Sequence, residues 1–186
     1  SGSVKANQWY HVAITRTGSS TKMFVNGIQD GSTYSDSTTY IQGSTLHIGK
    51  RYASTAYNFT GFISDFRIVK GTAVYTANFT PPTAPLTAIS GTELLISAKS
   101  MLRDGSSDNH LVQVSGNPEM RPFTPYKHQI YNASTYGGSV FMDGTDYLTT
   151  SGTANTNTTA GQAWTVEYWV YPTAFDSGGN TMFDFR

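Results

Sequence analysis

Residues 164–172 spell WTVEYWVYP, and this stretch decides the fold class of the chain. Aromatic and β-branched residues alternate along it with a period of two, which is typical of a β-strand. Pro172 has no backbone N–H to donate and ends the pattern. The pattern predicts a central strand with two different faces: Trp164, Val166, Tyr168 and Val170 on one, and Thr165, Glu167, Trp169 and Tyr171 on the other.

Similar signals recur along the rest of the chain. Residues 10–15 alternate in the same way, and a strand at 23–26 runs into Asn26-Gly27, the strongest short hairpin signal. Further strands are predicted at 46–49, 62–69, 93–97, 139–144, 147–149 and 181–185. A strict period of two would place Phe62, Ser64, Phe66 and Ile68 on one face of the 62–69 strand. We predict no helix longer than about two turns.

Two proline-rich segments interrupt this series of strands. Residues 72–75 are interpreted as one helical turn, and residues 79–86 hold three prolines, which excludes a central strand. We predict that residues 79–86 lie extended along a surface of the domain. Residues 118–125 also hold three prolines and are interpreted as a second extended connector.

The composition restricts the classes of function. Twelve basic and twelve acidic residues cancel, and only 13% of positions are charged. Such a chain lacks the basic surface that nucleic acid or an anionic membrane would need, so neither is expected as a partner. The absence of cysteine rules out a disulfide framework and leaves the redox compartment open. No apolar run approaches the roughly 20 residues of a membrane span.

Several motifs together resemble the laminin-G and pentraxin-like domains, whose fold is the concanavalin A-like jelly roll. The first segment has W-x-H-V-A at 9–13 followed by Arg16, then F-V-N-G at 24–27, L-x-I-G at 46–49 and F-x-G-x-I-x-D-F-R-I at 59–68. The second has D-x-S-x-x-x-H at 104–110, S-V-F-M-D-G at 139–144, D-Y-L at 146–148 and the 164–172 strand. The resemblance implies an all-β antiparallel jelly-roll sandwich.

The order of these motifs is circularly shifted. Residues 1–88 resemble the C-terminal half of a laminin-G-like repeat, residues 89–186 resemble the N-terminal half, and the junction lies at about 79–92. The second half belongs either to the next repeat or to the same, permuted repeat. The phrase DFRIVKGTAVY at 65–75, followed by NFTPP at 78–82, resembles repeats in large virion structural proteins of marine bacteriophages.

This resemblance implies a non-enzymatic structural or adhesive module on a virion or another extracellular surface. Its expected partners are neighbouring repeats or subunits of a fibre or virion assembly, together with host surface polysaccharide. A bacterial cell-surface or secreted carbohydrate-binding adhesin is the alternative, and a glycoside hydrolase ranks third. Glycoside hydrolysis needs paired carboxylates, whereas Glu93, Glu119 and Glu167 are far apart in sequence. We therefore predict no catalytic residues, with Glu167 as a surface or cross-strand partner and His11 as a packed, hydrogen-bonded residue.

Two binding sites remain as hypotheses. Calcium, the only cofactor considered, would use Asp176, Asn180 and Asp184, which lie where pentraxins place part of their site. The segment after the L-x-I-G strand is basic at Lys50 and Arg51, which departs from the pentraxin pattern. Sugar binding would use aromatic rings and polar groups in loops around the short strand: Tyr34, Tyr40, Arg51, Tyr52, Tyr57 and Asn58. The tryptophans lie in strands, and at least two of them are expected in the core.

Overall fold

The computed structural model describes residues 4–40, 45–51, 57–99, 102–151, 157–175 and 179–184. Within these residues the chain forms an antiparallel β-sandwich with one short helix, which confirms the predicted fold class. The elements are β1 (Tyr10–Thr17), β2 (Ser20–Val25), β3 (Ile28–Gln29), β4 (Tyr34–Ser35), β5 (Thr45–Ile48), β6 (Thr60–Lys70), β7 (Thr92–Ile96), β8 (Leu111–Ser115), β9 (Glu119–Arg121), α1 (Ala133–Tyr136), β10 (Ser139–Asp143), β11 (Tyr147–Ser151), β12 (Trp164–Pro172) and β13 (Phe183–Asp184).

The described strands form two sheets. The larger runs β3-β2-β1-β12-β6-β10-β9, with β4 also paired to β2 and β7 also paired to β6. The smaller runs β13-β5-β11-β8. The predicted central strand, β12, lies between β1 and β6 and pairs antiparallel with both. Strands from residues 1–88 therefore pair with strands from residues 89–186 in both sheets.

The apolar core lies between the two sheets. The smaller sheet contributes Leu46, Ile48 and Leu148, each fully buried or nearly so. The inner face of β12 contributes Val166, Tyr168 and Val170, as the alternation predicts. Full burial of each such side chain stabilises the fold by roughly 1.5–3 kcal/mol. No helix in the described residues is long and apolar enough to cross a membrane.

The strict alternation predicted for the 62–69 strand is wrong because β6 contains a bulge. Asp65 has a φ of 49°. Glu167 of β12 pairs with Arg67 and Trp169 pairs with Ser64, so β6 has one extra residue in this stretch. The extra residue reverses the facing of everything before it. Phe62 therefore packs outside the sandwich against Tyr171, while Phe66 lies in the core.

The outer face of the larger sheet is covered by residues 72–87, which we call the first strap. Its extended course confirms the surface position predicted for residues 79–86. The helical turn predicted at 72–75 is wrong. There the sheet satisfies the backbone directly, since Val74 N donates to Thr165 Oγ1 at 2.8 Å and Thr15 Oγ1 donates to the Tyr75 carbonyl at 2.8 Å.

The first strap is anchored where the β2–β3 hairpin turns. Asn26 and Gly27 have φ values of 50° and 78°, as the predicted type I′ turn requires. Phe79 N donates to the Gly27 carbonyl at 2.8 Å. A Cβ on Gly27 would lie 1.9 Å from the Phe79 carbonyl oxygen. Only glycine therefore allows the strap to approach the turn this closely.

Residues 118–125, predicted as an extended connector, contain β9 of the larger sheet, and residues 122–126 after it form a second strap over another part of the same outer face. Phe123 packs against Trp9 and Tyr171 at ring separations of 5.1 and 4.9 Å. Trp169 is buried on this outer face, 6.0 Å from the Tyr126 ring. Of the tryptophans expected to supply at least two core residues, Trp169 is therefore buried under the outer face and not between the sheets. Among the described tryptophans, Trp164 is the one that packs against that core.

We expect Asp65→Asn to stabilise the protein at neutral pH and to change little near pH 3.5. Burial raises the pKa of Asp65 from 3.8 to about 6, outweighing the hydrogen bond that Tyr126 donates to it. In the wild-type protein, the protonated carboxyl makes its full contribution to the unfolding free energy below the ordinary pKa of 3.8. That contribution is lost as the pH rises through about 6. The gain in unfolding free energy at pH 7.5 should be about 3 kcal/mol.

The measurement is urea unfolding of wild type and variant at both pH values. Asn tolerates the positive φ at this bulge, so backbone strain does not mask the effect. An equal difference between the two proteins at pH 3.5 and 7.5 would contradict a role for the buried carboxyl.

Candidate functional site

A cleft of about 240 Å³ lies between the two sheets at the end of the sandwich where β6 ends and β12 begins. Its apolar wall comes from the inner faces of β1, β6 and β12 and from β13. Tyr34 is 67% exposed and Tyr40 is 38% exposed, so these rings form its solvent side. Among the described residues, the lining consists of Ile14, Thr21, Tyr34, Asp36, Tyr40, Ile68, Lys70, Thr158, Trp164, Val166 and Phe183.

Arg16 at the end of β1 organises the loops beside this cleft. Its guanidinium is fully buried and donates to the carbonyls of Thr38, Thr159 and Gln162 at 2.6, 2.9 and 3.0 Å. The planar group also lies 5.4 Å from the centre of the Tyr40 ring. A buried, always charged guanidinium needs this many acceptors, and it thereby holds two loops that are distant in sequence.

Asp36 and Tyr40 form the polar pair of the cleft. Tyr40 Oη donates to Asp36 Oδ2 at 2.7 Å, and Arg16 Nη1 lies 3.6 Å from the same oxygen. Burial alone would raise the pKa of Asp36, but the hydrogen bonds from Tyr40 and Thr38, with the charge of Arg16, hold it at about 2. Burial and the bond to Asp36 raise the pKa of Tyr40 to about 12. At physiological pH the carboxylate is therefore ionised and the phenol neutral.

The structure divides the six residues proposed for sugar binding. Tyr34 and Tyr40 both line the cleft beside Lys70, the last residue of β6. Asn58 precedes the first residue of β6 and donates from Nδ2 to the Gly144 carbonyl at 2.8 Å. An 11-residue strand spans roughly 35 Å, so these two groups lie at opposite ends of the sandwich.

Three of the six residues belong to the end that is remote from the cleft. The Arg51 guanidinium lies 5.6 Å from the Tyr57 ring centre, next to Asn58. Tyr52, the remaining proposed residue, lies outside the described residues. The proposed sugar surface is therefore two separate surfaces, of which the tyrosine pair at the cleft has the more exposed rings.

Two of the three residues proposed for calcium lie in the described part of the chain, and each has a different partner there. Asn180 donates from Nδ2 to the Asn58 carbonyl at 2.8 Å, whereas Asp184 lies on β13 opposite His47. Asp176 lies outside the described residues. Among the residues that the structure describes, no group of three or more His, Cys, Asp or Glu side chains could hold a metal ion. Calcium binding stays a prediction.

Sequence reasoning missed a buried polar cluster centred on Glu167. This side chain is fully buried on the outer face of β12, under the first strap, and is not a surface residue. It accepts hydrogen bonds from Arg67 Nε at 2.9 Å, from Tyr75 Oη at 2.8 Å and from His11 Nε2, which lies 3.2 Å away. Burial would raise the pKa of Glu167, but these donors and the charge of Arg67 outweigh it and lower the pKa.

This cluster bears directly on the predicted roles of its members. The cross-strand role predicted for Glu167 and the packed, hydrogen-bonded role predicted for His11 are both confirmed. The alternation of the 164–172 strand placed Glu167 on the opposite face from the core, but it could not show that a strap covers that face. Both oxygens of the carboxylate have partners inside the protein.

A second carboxyl contact lies beside β7. Glu93 interacts with the neighbouring carboxyl of Asp108, and His110 Nε2 lies 3.6 Å from Asp108 Oδ2. Partial burial and the neighbouring carboxyl raise the pKa of Glu93. Glu93, Asp108 and His110 therefore form one group of interacting titratable side chains.

One comparison with known proteins finds a match. A family model described as the concanavalin A-like lectin/glucanases superfamily (Laminin_G_3) matches residues 1–74. The matched region contains β1 to β6 and so includes three neighbouring strands of the larger sheet. It supports a laminin-G-like β-sandwich domain. No curated protein and no solved structure matches the chain.

We expect Glu167→Ala to destabilise the protein by about 3–5 kcal/mol, because it leaves the charge of Arg67 buried without a counter-charge. The matched control is Glu119→Ala. Glu119 pairs with Arg121 on exposed strand β9, where an ion pair contributes less than about 1 kcal/mol. Urea unfolding gives both values. Faster proteolysis within residues 72–87 of Glu167→Ala would report release of the first strap, and equal losses in the two variants would contradict the assignment.

Proposed function

We propose that this chain is a non-enzymatic structural and adhesive module of a virion appendage or surface fibre. The observation that carries the proposal is the pairing of β12, from the second segment, between β1 and β6 of the first. We infer that the two segments form one permuted sandwich and not the halves of two separate domains. The motifs of this domain are in circularly shifted order, and their strands still form one sandwich. A domain with this property suits tandem repetition along a fibre.

The same proposal implies which partners the module has and where it is located. Its partners are neighbouring repeats or subunits of the assembly, and it lies on a virion or another extracellular surface. The phrase at 65–82, which resembles repeats of bacteriophage virion proteins, supports this context. In the structure that phrase forms the second half of β6 and the start of the first strap, so it has a structural role inside the module.

The carboxylates support a role other than catalysis. Glu167 is enclosed by Arg67, His11 and Tyr75, and Glu93 interacts with Asp108. Neither arrangement places one acid and one base on opposite sides of an accessible substrate. The proposed module therefore presents surfaces to partners and leaves the bonds of its ligands intact.

We expect no release of reducing ends when the protein is incubated with soluble β-glucans. The assay compares the protein with a buffer blank and with a known glucanase as the positive control. Release above the blank would overturn the non-enzymatic assignment. Glu93→Gln would then test whether the pair with Asp108 is the source.

In the proposed adhesive role, the ligand is host polysaccharide, and it binds at the cleft. The exposed rings of Tyr34 and Tyr40 offer faces on which a pyranose can stack. Asp36 and Thr158 add a carboxylate and a hydroxyl to the same lining. A small contact of this kind is weak, and repetition along a fibre would raise the overall avidity.

We expect Tyr34→Ala to weaken binding to host surface glycans about 3–10-fold, since an aromatic contact is worth about 0.5–1.5 kcal/mol. The measurement is a glycan array at high protein density, run with and without chelator. Tyr57→Ala, at the other end of the sandwich, is the control and should bind as wild type does. Loss of the signal with chelator would establish the calcium dependence. No signal for the wild type on any host polysaccharide would remove the adhesive role and leave the scaffold role.

A further inference from the structure

Strand β8 is an edge strand of the smaller sheet in the described part of the chain. That sheet runs β13-β5-β11-β8, and no described strand pairs with the side of β8 that faces away from β11. The backbone N–H and C=O groups on that side form a line that another extended strand can match residue by residue. The sequence of β8, LVQVS, contains two β-branched valines and neither proline nor charge.

The other described edge strands are protected against pairing with another chain. Strands β3, β4 and β13 are two residues long each, and β9 has three residues, of which Glu119 and Arg121 are charged. A loop occupies the side of β7 that faces away from β6, where Gly105 N donates to the Leu95 carbonyl at 2.7 Å. Short strands, charged side chains and covering loops are common means of keeping sheet edges apart. The five residues of β8 show none of these protections in the described structure.

The inner face of β8 is apolar and open. Val112 and Val114 lie opposite Thr150 and Leu148 of β11, and Leu148 belongs to the core. Both valines therefore point to the inner side of the smaller sheet. Val112 packs against the core, whereas Val114 is 57% exposed. The larger sheet thus leaves Val114 uncovered, and this gives room beside β8 for a strand that brings apolar residues of its own.

We propose that β8 pairs antiparallel with β8 of a second copy of the chain, around a two-fold axis at Gln113. The two four-stranded sheets then form one continuous sheet. The proposal rests on the proposed function, in which copies of the module adjoin in an assembly. In this register Val112 of one copy lies opposite Val114 of the other, and Leu111 lies opposite Ser115.

The sequence of β8 favours a second copy of itself as the partner. A two-fold axis brings identical side chains together, so a charged residue at its centre would face a like charge. Gln113 is neutral, and its side-chain amide both donates and accepts, so the two copies of this residue can bond to each other. A shift of the register by one residue would turn the valines of one copy to the outer face. A shift by two residues would leave part of each strand unpaired.

The predicted contact is small. It involves five residues of each copy, whereas a stable interface of standard size has about 20–30 residues a side. The pairing of two isolated molecules is therefore weak. It becomes effective when several copies are held side by side, because the second and later contacts form at a high effective concentration.

Because the chain has no cysteine, one introduced thiol per copy reports the register. Opposite residues of an antiparallel pair have Cα atoms about 4.5–5.5 Å apart, a distance that a disulfide bridges. On mild oxidation, Gln113→Cys should form covalent dimers at least 10-fold faster than Gln129→Cys, the control at an exposed glutamine in a loop. Leu111→Cys and Ser115→Cys should cross-link when mixed, and each much more slowly alone. Equal rates for Gln113→Cys and Gln129→Cys, or no advantage of the mixture, would overturn the proposal.

A substitution on the inner face tests the same contact without a cross-link. Sedimentation equilibrium of the wild type, followed up to about 1 mM protein, should show a monomer–dimer equilibrium. Val114→Lys should raise its dissociation constant at least 10-fold, because an inward-pointing lysine at an edge opposes pairing. The matched control is Ile28→Lys, since Ile28 is 59% exposed on the edge strand β3. It should dimerise as the wild type does, and both variants should unfold in urea like the wild type at low concentration. A wild type that stays monomeric, or equal losses in the two variants, would refute the pairing.

Glycan binding separates this inference from the proposed function. Val114→Lys should keep the binding of single copies to host glycans, which Tyr34→Ala weakens. If the wild type binds glycans but forms no dimer, the adhesive function stands and the β8 pairing is wrong. If the dimer of Gln113→Cys forms in the expected register while no glycan binds, the pairing stands and the adhesive role is removed.

Discussion

The buried carboxylate of Glu167 is the interaction on which the outer half of the structure depends. It joins β12 to His11 of β1, Arg67 of β6 and Tyr75 of the first strap. An ionised carboxylate is costly to bury unless several donors meet it. The cost makes the arrangement specific, because the four groups must arrive together. The segment that covers the larger sheet is thereby placed by hydrogen bonds as well as by the packing of Phe79 against Phe24.

Arg16 is a second buried charge with several partners, and it lies on β1, the strand next to β12. It lies on the inner side at the end of β1, and its donors reach the carbonyls of Thr38, Thr159 and Gln162. A buried charge thus orders the loops of the candidate cleft, while another orders the strap. Both Arg16 and Glu167 are internal, and the lining of the cleft combines apolar and aromatic side chains with Asp36, Lys70 and two threonines. This combination suits a binding module whose surface carries little charge.

Particular residues show how far the sequence could lead. The alternation of 164–172 correctly assigned both faces of β12, and Asn26-Gly27 correctly marked a turn. The same rule failed in β6, because it cannot register an extra residue such as Asp65, whose positive φ reverses the facing. The helical turn at 72–75 failed because Thr15 and Thr165 satisfy its backbone from the sheet. The sequence placed Tyr34 and Asn58 in one patch because both lie in loops around the same short strand. The structure separates them by the whole length of β6.

The sequence by itself determined the all-β fold class, the two faces of β12 and the turn at Asn26-Gly27. These are local properties, since period, turn chemistry and composition act over a few residues. Only the tertiary structure decided that β12 lies between β1 and β6, that Glu167 is covered, and that Tyr34 and Tyr40 share a cleft with Asp36. Each of these depends on segments far apart in the chain, whose meeting is selected by the joint burial of apolar faces and by the pairing of buried charges.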